Sequence, residues 1–273
     1  MAERVTRFAP SPTGPLHLGH AYAALIAAAR GDRFLLRIED IDQPRCKPGY
    51  EAAIFEDLEW LGLHWENPVM RQSTRLWAYD AALVHLCNMG VTYHCTCTRG
   101  DIKAALSAPQ EGAALIGPDG PIYPGTCRRK QRASGALRLD MAAAIAALGE
   151  VQFTETGEQA GTHQYSTAQM VETIGDIVLA RRDIGTSYHI AVVVDDAAQG
   201  ITEVTRGQDL FDATAIHVVL QRLLALPTPR YHHHRLIRDD QGKRLAKRDD
   251  ARALAKYRAE GATPQDIRRM LGL

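Results

Sequence analysis

The sequence predicts an α/β fold, a doubly wound parallel sheet interrupted by a small inserted module. Three observations carry this. The first 40 residues read strand, proline-rich loop, helix, strand; strands and helices alternate again from Ala191 onward; and a cysteine- and glycine-rich stretch lies between the two halves.

The elements follow in order. Arg4–Ala9 reads as a strand, and Pro10, Pro12, Gly14 and Pro15 stiffen the loop after it. His17–Arg30 is rich in alanine and leucine and stops at Gly31, so it reads as a helix. Phe34–Asp40 is the next strand, which closes a β–loop–α–β unit of parallel-crossover size. Ala52–Leu63 and Leu76–Met89 read as helices. Thr92–Thr126 holds close cysteines and the run GPDGPIYPG, the mark of a loop-rich insertion. The apolar runs Ala191–Asp195 and Ile201–Thr205 read as strands, and Asp209–Leu226 as a helix. The triple histidine His232–His234 falls near a predicted loop and is assigned no chemistry. These elements divide the chain into a first core half (1–91), an insertion (92–187) and a second core half (188–273).

Composition bounds the function. With 273 residues, 45% hydrophobic and 23% charged, the chain has the make-up of a globular protein. No apolar stretch is long enough to span a membrane, and the first ten residues lack the apolar core of a signal peptide, so a cytoplasmic location is expected. Five cysteines, an odd and sparse count for a chain of this size, argue against a disulfide framework. Net charge is zero, yet Thr228 onward carries twelve Lys or Arg against six Asp or Glu. That basic end fits a polyanion, nucleotide or RNA, and equally a solvated helical face.

His17-Leu-Gly-His20 sits where a loop enters a helix. A helix N-terminus offers free N–H groups and a positive dipole to phosphate. Gly19 permits close approach of a base or ribose, and His17 and His20 can donate to oxygens on which charge grows. Cys95, Cys97 and Cys127 are three soft donors that suit zinc; a tetrahedral structural site needs a fourth, and on chemistry alone His94 is the commoner ligand type.

The segment RFAPSPTGPLHLGH closely resembles the opening of glutamyl-tRNA synthetases, class I enzymes with a Rossmann core. The resemblance continues through RIEDID (Arg37–Asp42) and TRGQDL (Thr205–Leu210) and ends at GKRLAKR (Gly242–Arg248), similar to the second class I motif, the KMSKS loop. It implies a fold in which an acceptor-type, zinc-binding module splits a Rossmann sheet. It implies ATP, with Mg²⁺, at His17, Gly19, His20 and Lys247, and glutamate at Arg7, Phe8, Ala9, Pro10, Ser11, Glu39, Tyr188 and Arg206. His17, His20 and Lys247 would be catalytic. Arg7 would fork onto the side-chain carboxylate, and Glu39 would take the ammonium. On their own, Arg7 and Glu39 read equally as a salt bridge between neighbouring strands. The loop departs from the usual pattern, with Arg244 for the first lysine and Ala246 for the serine.

Only 25 residues follow Arg248, too few for an anticodon-binding domain. In this the chain resembles the truncated bacterial paralogues, glutamyl-queuosine tRNA(Asp) synthetases, which activate glutamate without tRNA and transfer it to queuosine in tRNA(Asp). That subgroup implies Tyr123 as fourth zinc ligand. It implies L-glutamate, ATP and queuosine-containing tRNA(Asp) as partners, no protein partner and no membrane. A minimal enzyme charging tRNA(Glu), a nucleotidyltransferase and an inactive RNA-binding module are the competing readings.

Overall fold

The computed structural model describes residues 3–107, 116–238 and 252–273. The first half runs β1 (Val5–Phe8), α1 (Leu18–Arg30), β2 (Arg33–Ile38), α2 (Pro48–Trp60), β3 (Glu66–Arg71) and α3 (Leu76–Asn88). The middle contributes β4 (Thr92–Cys95), α4 (Arg99–Ser107), the short strands β5 (Ile116–Gly117) and β6 (Gly120–Pro121), β7 (Ala136–Leu139), α5 (Met141–Leu148), β8 (Val151–Glu155), β9 (Gly161–Tyr165), the single turn α6 (Thr167–Gln169) and β10 (Val178–Ala180). The last part holds α7 (Tyr188–Ala198), β11 (Glu203–Gly207), α8 (Thr214–Leu223), β12 (Arg230–His234), α9 (Leu254–Ala259) and α10 (Pro264–Met270).

The strand order places the site. β1 pairs in parallel with β2, and β2 with β3. β11 pairs in parallel with β12, β12 in parallel with β8, and β8 forms a hairpin with β9. β11 lies beside β1: Thr202 N donates to Val5 O at 3.0 Å, and further along Arg7 Nη1 donates to Thr205 O at 3.3 Å. The order is therefore β3–β2–β1–β11–β12–β8. It winds outward in opposite directions from the β1/β11 seam, and the carboxyl ends of those two strands open the crevice where such sheets hold ligands. A separate antiparallel sheet, β10–β7–β4, belongs to the middle segment, while β8 and β9 extend the main sheet.

The core has two bodies. The larger packs α3, α5, α7 and α8 against the sheet. The smaller joins α1, β2 and α2 to Leu254, Ile267 and Leu271 of the two last helices. The chain that returns there is fastened beside the first motif: Leu254 N donates to Leu16 O at 2.8 Å, and Ala253 forms an antiparallel bridge with His17.

Two sequence expectations are corrected. Ala191–Asp195 is not a strand but the middle of α7, whose N-cap Ser187 accepts from Ile190 N. A short continuous apolar run does not distinguish a buried strand from a helix buried on every side, and α7 is packed between α3, α8 and the sheet. His232–His234 is not in a loop but on β12, between β11 and β8. Three imidazoles carry no strand periodicity. His233 tolerates 1% exposure because both its ring nitrogens are hydrogen-bonded.

Candidate functional site

His17 is the N-cap of α1 and forms a capping box with His20, in which imidazoles replace the usual hydroxyl and carboxylate. His17 Nδ1 accepts from Gly19 N at 3.1 Å, and His20 Nδ1 accepts from His17 N at 3.2 Å. A nitrogen that accepts carries no proton, so each neutral ring holds its proton on Nε2, where it is a donor. Local backbone geometry thus sets both tautomers for binding an anion. Gly19 suits the cap: a Cβ there would press on the His17 ring at 3.0 Å, so the ring would have to shift.

At the end of β1, Arg7 does not pair with Glu39, as neighbouring strands would allow. Its Nε and Nη2 reach the two carboxylate oxygens of Asp196 on α7, at 2.9 and 3.3 Å. Arg37 of β2, fully buried, reaches the same Asp196 at 2.7 Å and Glu39 at 3.1 Å. One carboxylate is therefore shared by two guanidiniums, and Glu39, just past the end of β2, faces the cavity. Burial raises the Asp196 pKa, but Arg7 and Arg37 together overcome this and hold it at about 2. Burial pushes Glu39 above the ordinary carboxylate range despite Arg37 and Arg7.

The Asp196 shift has a consequence for stability. Its ordinary value is 3.8 and its folded value about 2. The stabilisation, about 2 kcal/mol, is complete above roughly pH 4 and lost as pH falls toward 2. Denaturant unfolding at pH 5, 3 and 2 should show that decline, and Asp196→Asn should flatten it; an equally steep acid limb in the variant would count against this source.

Arg206 of β11 is 7% exposed and held on three sides. Nε donates to His233 Nε2 (3.1 Å), Nη1 to His217 Nδ1 (2.9 Å) and Nη2 to Thr214 Oγ1 (2.7 Å). His233 is in turn fixed by Glu155, a 2.5 Å contact from Nδ1. Burial works against the Glu155 carboxylate, but donors from His233 and Gly157 bring its pKa to about 2. Three of the five guanidinium N–H groups are committed, which leaves two for a ligand.

The structure brings most of the expected residues to one place. Arg7, Phe8, Ala9, His17, Gly19, His20, Glu39, Tyr188 and Arg206 line a single cavity of about 370 Å³ at the β1/β11 crevice. Ser11 lines an adjoining cavity of about 500 Å³ that shares Glu39 and Tyr188 with the first. Pro10 acts through its backbone, accepting from Glu39 N at 3.0 Å. Lys247 lies outside the described residues, as do Gly242, Arg244 and Ala246. Volume alone does not select this site: a cavity of about 640 Å³ lies beside His64 and Trp65, away from these groups.

The family of class I tRNA synthetases for glutamate and glutamine, catalytic domain, matches residues 3–273. The chain belongs to this family. The synthetase is 60% identical to the glutamyl-Q tRNA(Asp) synthetase of Rhodobacter capsulatus, covering 98% of this chain and all of that one. Among solved structures it resembles the glutamate-tRNA synthetase of Elizabethkingia anophelis (TM-score 0.73, 27% identity) and a glutamate tRNA ligase of Elizabethkingia meningosepticum in complex with its amino acid (TM-score 0.72, 28% identity). Both superpose on 96% of the synthetase, which spans 60% and 59% of their lengths. Among the described residues, no helix is long and apolar enough to cross a membrane.

Asp196 and His217 stand outside every motif, and Arg37 and Thr205 open the RIEDID and TRGQDL motifs without a role of their own being assigned. Read as a helix, the segment would have exposed the first of them: Tyr188, Asp195, Asp196 and Gln199 recur at helical spacing on α7.

In the middle segment the three thiols of Cys95, Cys97 and Cys127 lie within 4.8 Å of one another. The Tyr123 phenol oxygen lies 3.2 Å from Cys95 Sγ and 3.4 Å from Cys97 Sγ. His94 immediately precedes Cys95 on β4, so its side chain takes the opposite face of the strand, and it is not part of the cluster. Burial disfavours the Cys127 thiolate, but hydrogen bonds from Tyr123 and the Thr96 backbone bring its pKa down to about 6. The donor set, three soft sulfurs and one oxygen around a common centre, fits a tetrahedral zinc ion.

Proposed function

We propose that the chain activates L-glutamate with Mg·ATP to glutamyl-adenylate without tRNA, and transfers the glutamyl group to queuosine in the anticodon loop of tRNA(Asp). The observation that carries the activation step is the convergence of two arginines, one acid and the His17–His20 cap on one crevice. The acceptor is inferred from the name of the Rhodobacter capsulatus relative, which shares 60% identity over the whole of its length.

In the first step a glutamate α-carboxylate oxygen attacks the α-phosphorus in line. The bond to the β-phosphate oxygen breaks, and pyrophosphate leaves with its electron pair. Arg7 and Arg206 hold the side-chain carboxylate, Glu39 takes the ammonium, and the Nε2 protons of His17 and His20 meet charge that builds on the phosphates. Lys247 is assigned to the same charge from the second loop. In the second step a hydroxyl on the queuosine cyclopentene ring attacks the carbonyl carbon, AMP departs, and the hydroxyl proton goes to solvent. The products are an ester and AMP, with no covalent enzyme intermediate.

Labelled glutamate offered with queuosine-containing tRNA(Asp), tRNA(Asp) lacking queuosine, and tRNA(Glu) should mark only the first. Label on tRNA(Glu) alone would reverse the acceptor assignment, and absence of glutamate-dependent pyrophosphate exchange would remove the activation step as well.

Cys95, Cys97, Cys127 and Tyr123 would hold one structural zinc ion, which would stabilise an acceptor-type module within residues 92–187 built around the β10–β7–β4 sheet, β8 and β9 of that range belonging to the main sheet. Bound metal would supply the positive charge that turns a phenol otherwise held protonated by burial into a ligand oxygen. Metal analysis of purified protein should return about one zinc per chain, and Cys127→Ser should lower that content and the melting temperature together. Metal-free protein of unchanged melting temperature would refute the zinc assignment.

A further inference from the structure

Arg206 is the start of a line of hydrogen bonds that leaves the cavity. Its Nη1 donates to His217 Nδ1 at 2.9 Å. His217 Nε2 lies 3.1 Å from His189 Nδ1, and His189 Nε2 lies 3.3 Å from a carboxylate oxygen of Asp119. The direction of every proton follows from the ends. A guanidinium can only donate, so His217 Nδ1 accepts and the His217 proton sits on Nε2. That proton is donated to His189 Nδ1, which leaves the His189 proton on Nε2, pointing to an acid that can only accept. Four residues are thus arranged in one polarity with no donor facing a donor.

The two imidazoles are 8% and 2% exposed, on α7 and α8 respectively. Positions between two packed helices would ordinarily be apolar, because burying a polar ring costs free energy unless it is hydrogen-bonded. Here each ring has one partner on either side, and the far partner comes from another part of the chain: Asp119 lies in the turn between β5 and β6. Its side chain is 46% exposed, and with His189, Ser11 and Tyr188 it lines the second cavity of about 500 Å³. The line therefore runs from the glutamate pocket to the wall of the neighbouring cavity.

We propose that His217, His189 and Asp119 are positioning residues that orient the Arg206 guanidinium for the glutamate carboxylate, with Asp119 as the anchor. This rests on the reading of Arg206 as a glutamate ligand. Thr214 and His233 fix two edges of the guanidinium, and His217 fixes the third. Without it the plane loses one of its three hydrogen bonds and is held less firmly against the cavity. Asp119 acts only through the two rings, so its contribution is smaller than that of His217.

The test is the steady-state kinetics of glutamate-dependent pyrophosphate exchange, with KM for glutamate and for ATP measured separately on the full chain. His217→Leu should raise the glutamate KM about tenfold and leave the ATP KM unchanged. His217→Gln should stay within about threefold of wild type, because an amide offers an acceptor to Arg206 and a donor to His189. Asp119→Ala should raise the glutamate KM about threefold, again without affecting ATP. It lies on an exposed turn, so it carries the test if His217→Leu fails to fold. A His217→Leu or Asp119→Ala enzyme with wild-type glutamate KM would overturn the proposal, as would equal increases for both substrates, which mark a purely structural role. Arg206→Gln separates the two levels. If it raises the glutamate KM and the relay variants do not, the relay is wrong and the pocket stands; if it has no effect, both fall.

Discussion

Replacing Arg7 with alanine is expected to raise the KM for glutamate by two to three orders of magnitude in the pyrophosphate-exchange assay. The variant loses a cation that would face the substrate carboxylate. It also leaves Asp196 with one guanidinium instead of two, so an anion formerly neutralised from the cavity side now opposes an anionic substrate. Truncating one partner of a buried charge pair costs about 2–5 kcal/mol, and each 1.4 kcal/mol is about tenfold. ATP should bind the variant almost normally, since His17 and His20 are fixed by their own cap. An Arg7→Ala enzyme that exchanged at the wild-type rate with unchanged KM would remove Arg7 from the pocket.

Arg37→Leu should have the largest effect on stability. Arg37 is completely buried and touches Asp196, Glu39 and Gln199. The replacement leaves two acids with too little positive charge, and breaking a buried pair from one side costs about 3–5 kcal/mol. For a chain of this size that is a fall in melting temperature on the order of 10 °C. The loss should be partly recovered in Arg37→Leu/Asp196→Asn, because the second change removes the stranded charge. A double variant no more stable than the single one would mean that the cost comes from packing. Calorimetric melting of the three proteins at pH 7 separates these outcomes.

Much of this site could be read in the sequence because its residues sit in contiguous motifs at element boundaries. The Pro-rich loop, the His17–His20 helix start and the strand ends at Arg7, Glu39 and Arg206 each carry a local signal. The tertiary partners of those residues were not legible. Asp196 is 189 residues from Arg7 in sequence, and the short apolar run Ala191–Val194 beside it reads as a buried strand unless the polar positions on either side are taken at helical spacing. The histidines of β12 were illegible for another reason. The burial of His233 depends on Glu155 and Arg206, supplied by different strands, and those partners lie far from it in sequence. The strand order came only from the seam between β1 and β11.

The shared carboxylate of Asp196 has one more consequence. It holds Arg7 in place before any substrate arrives, so the side-chain rotamer freedom of that arginine is lost during folding and not again on binding. A ligand as small as an amino acid has few atoms with which to offset ordering of the protein around it. A cation already immobilised by an internal counter-ion would ask such a ligand only to exchange water for hydrogen bonds, with no ordering of that side chain left to offset.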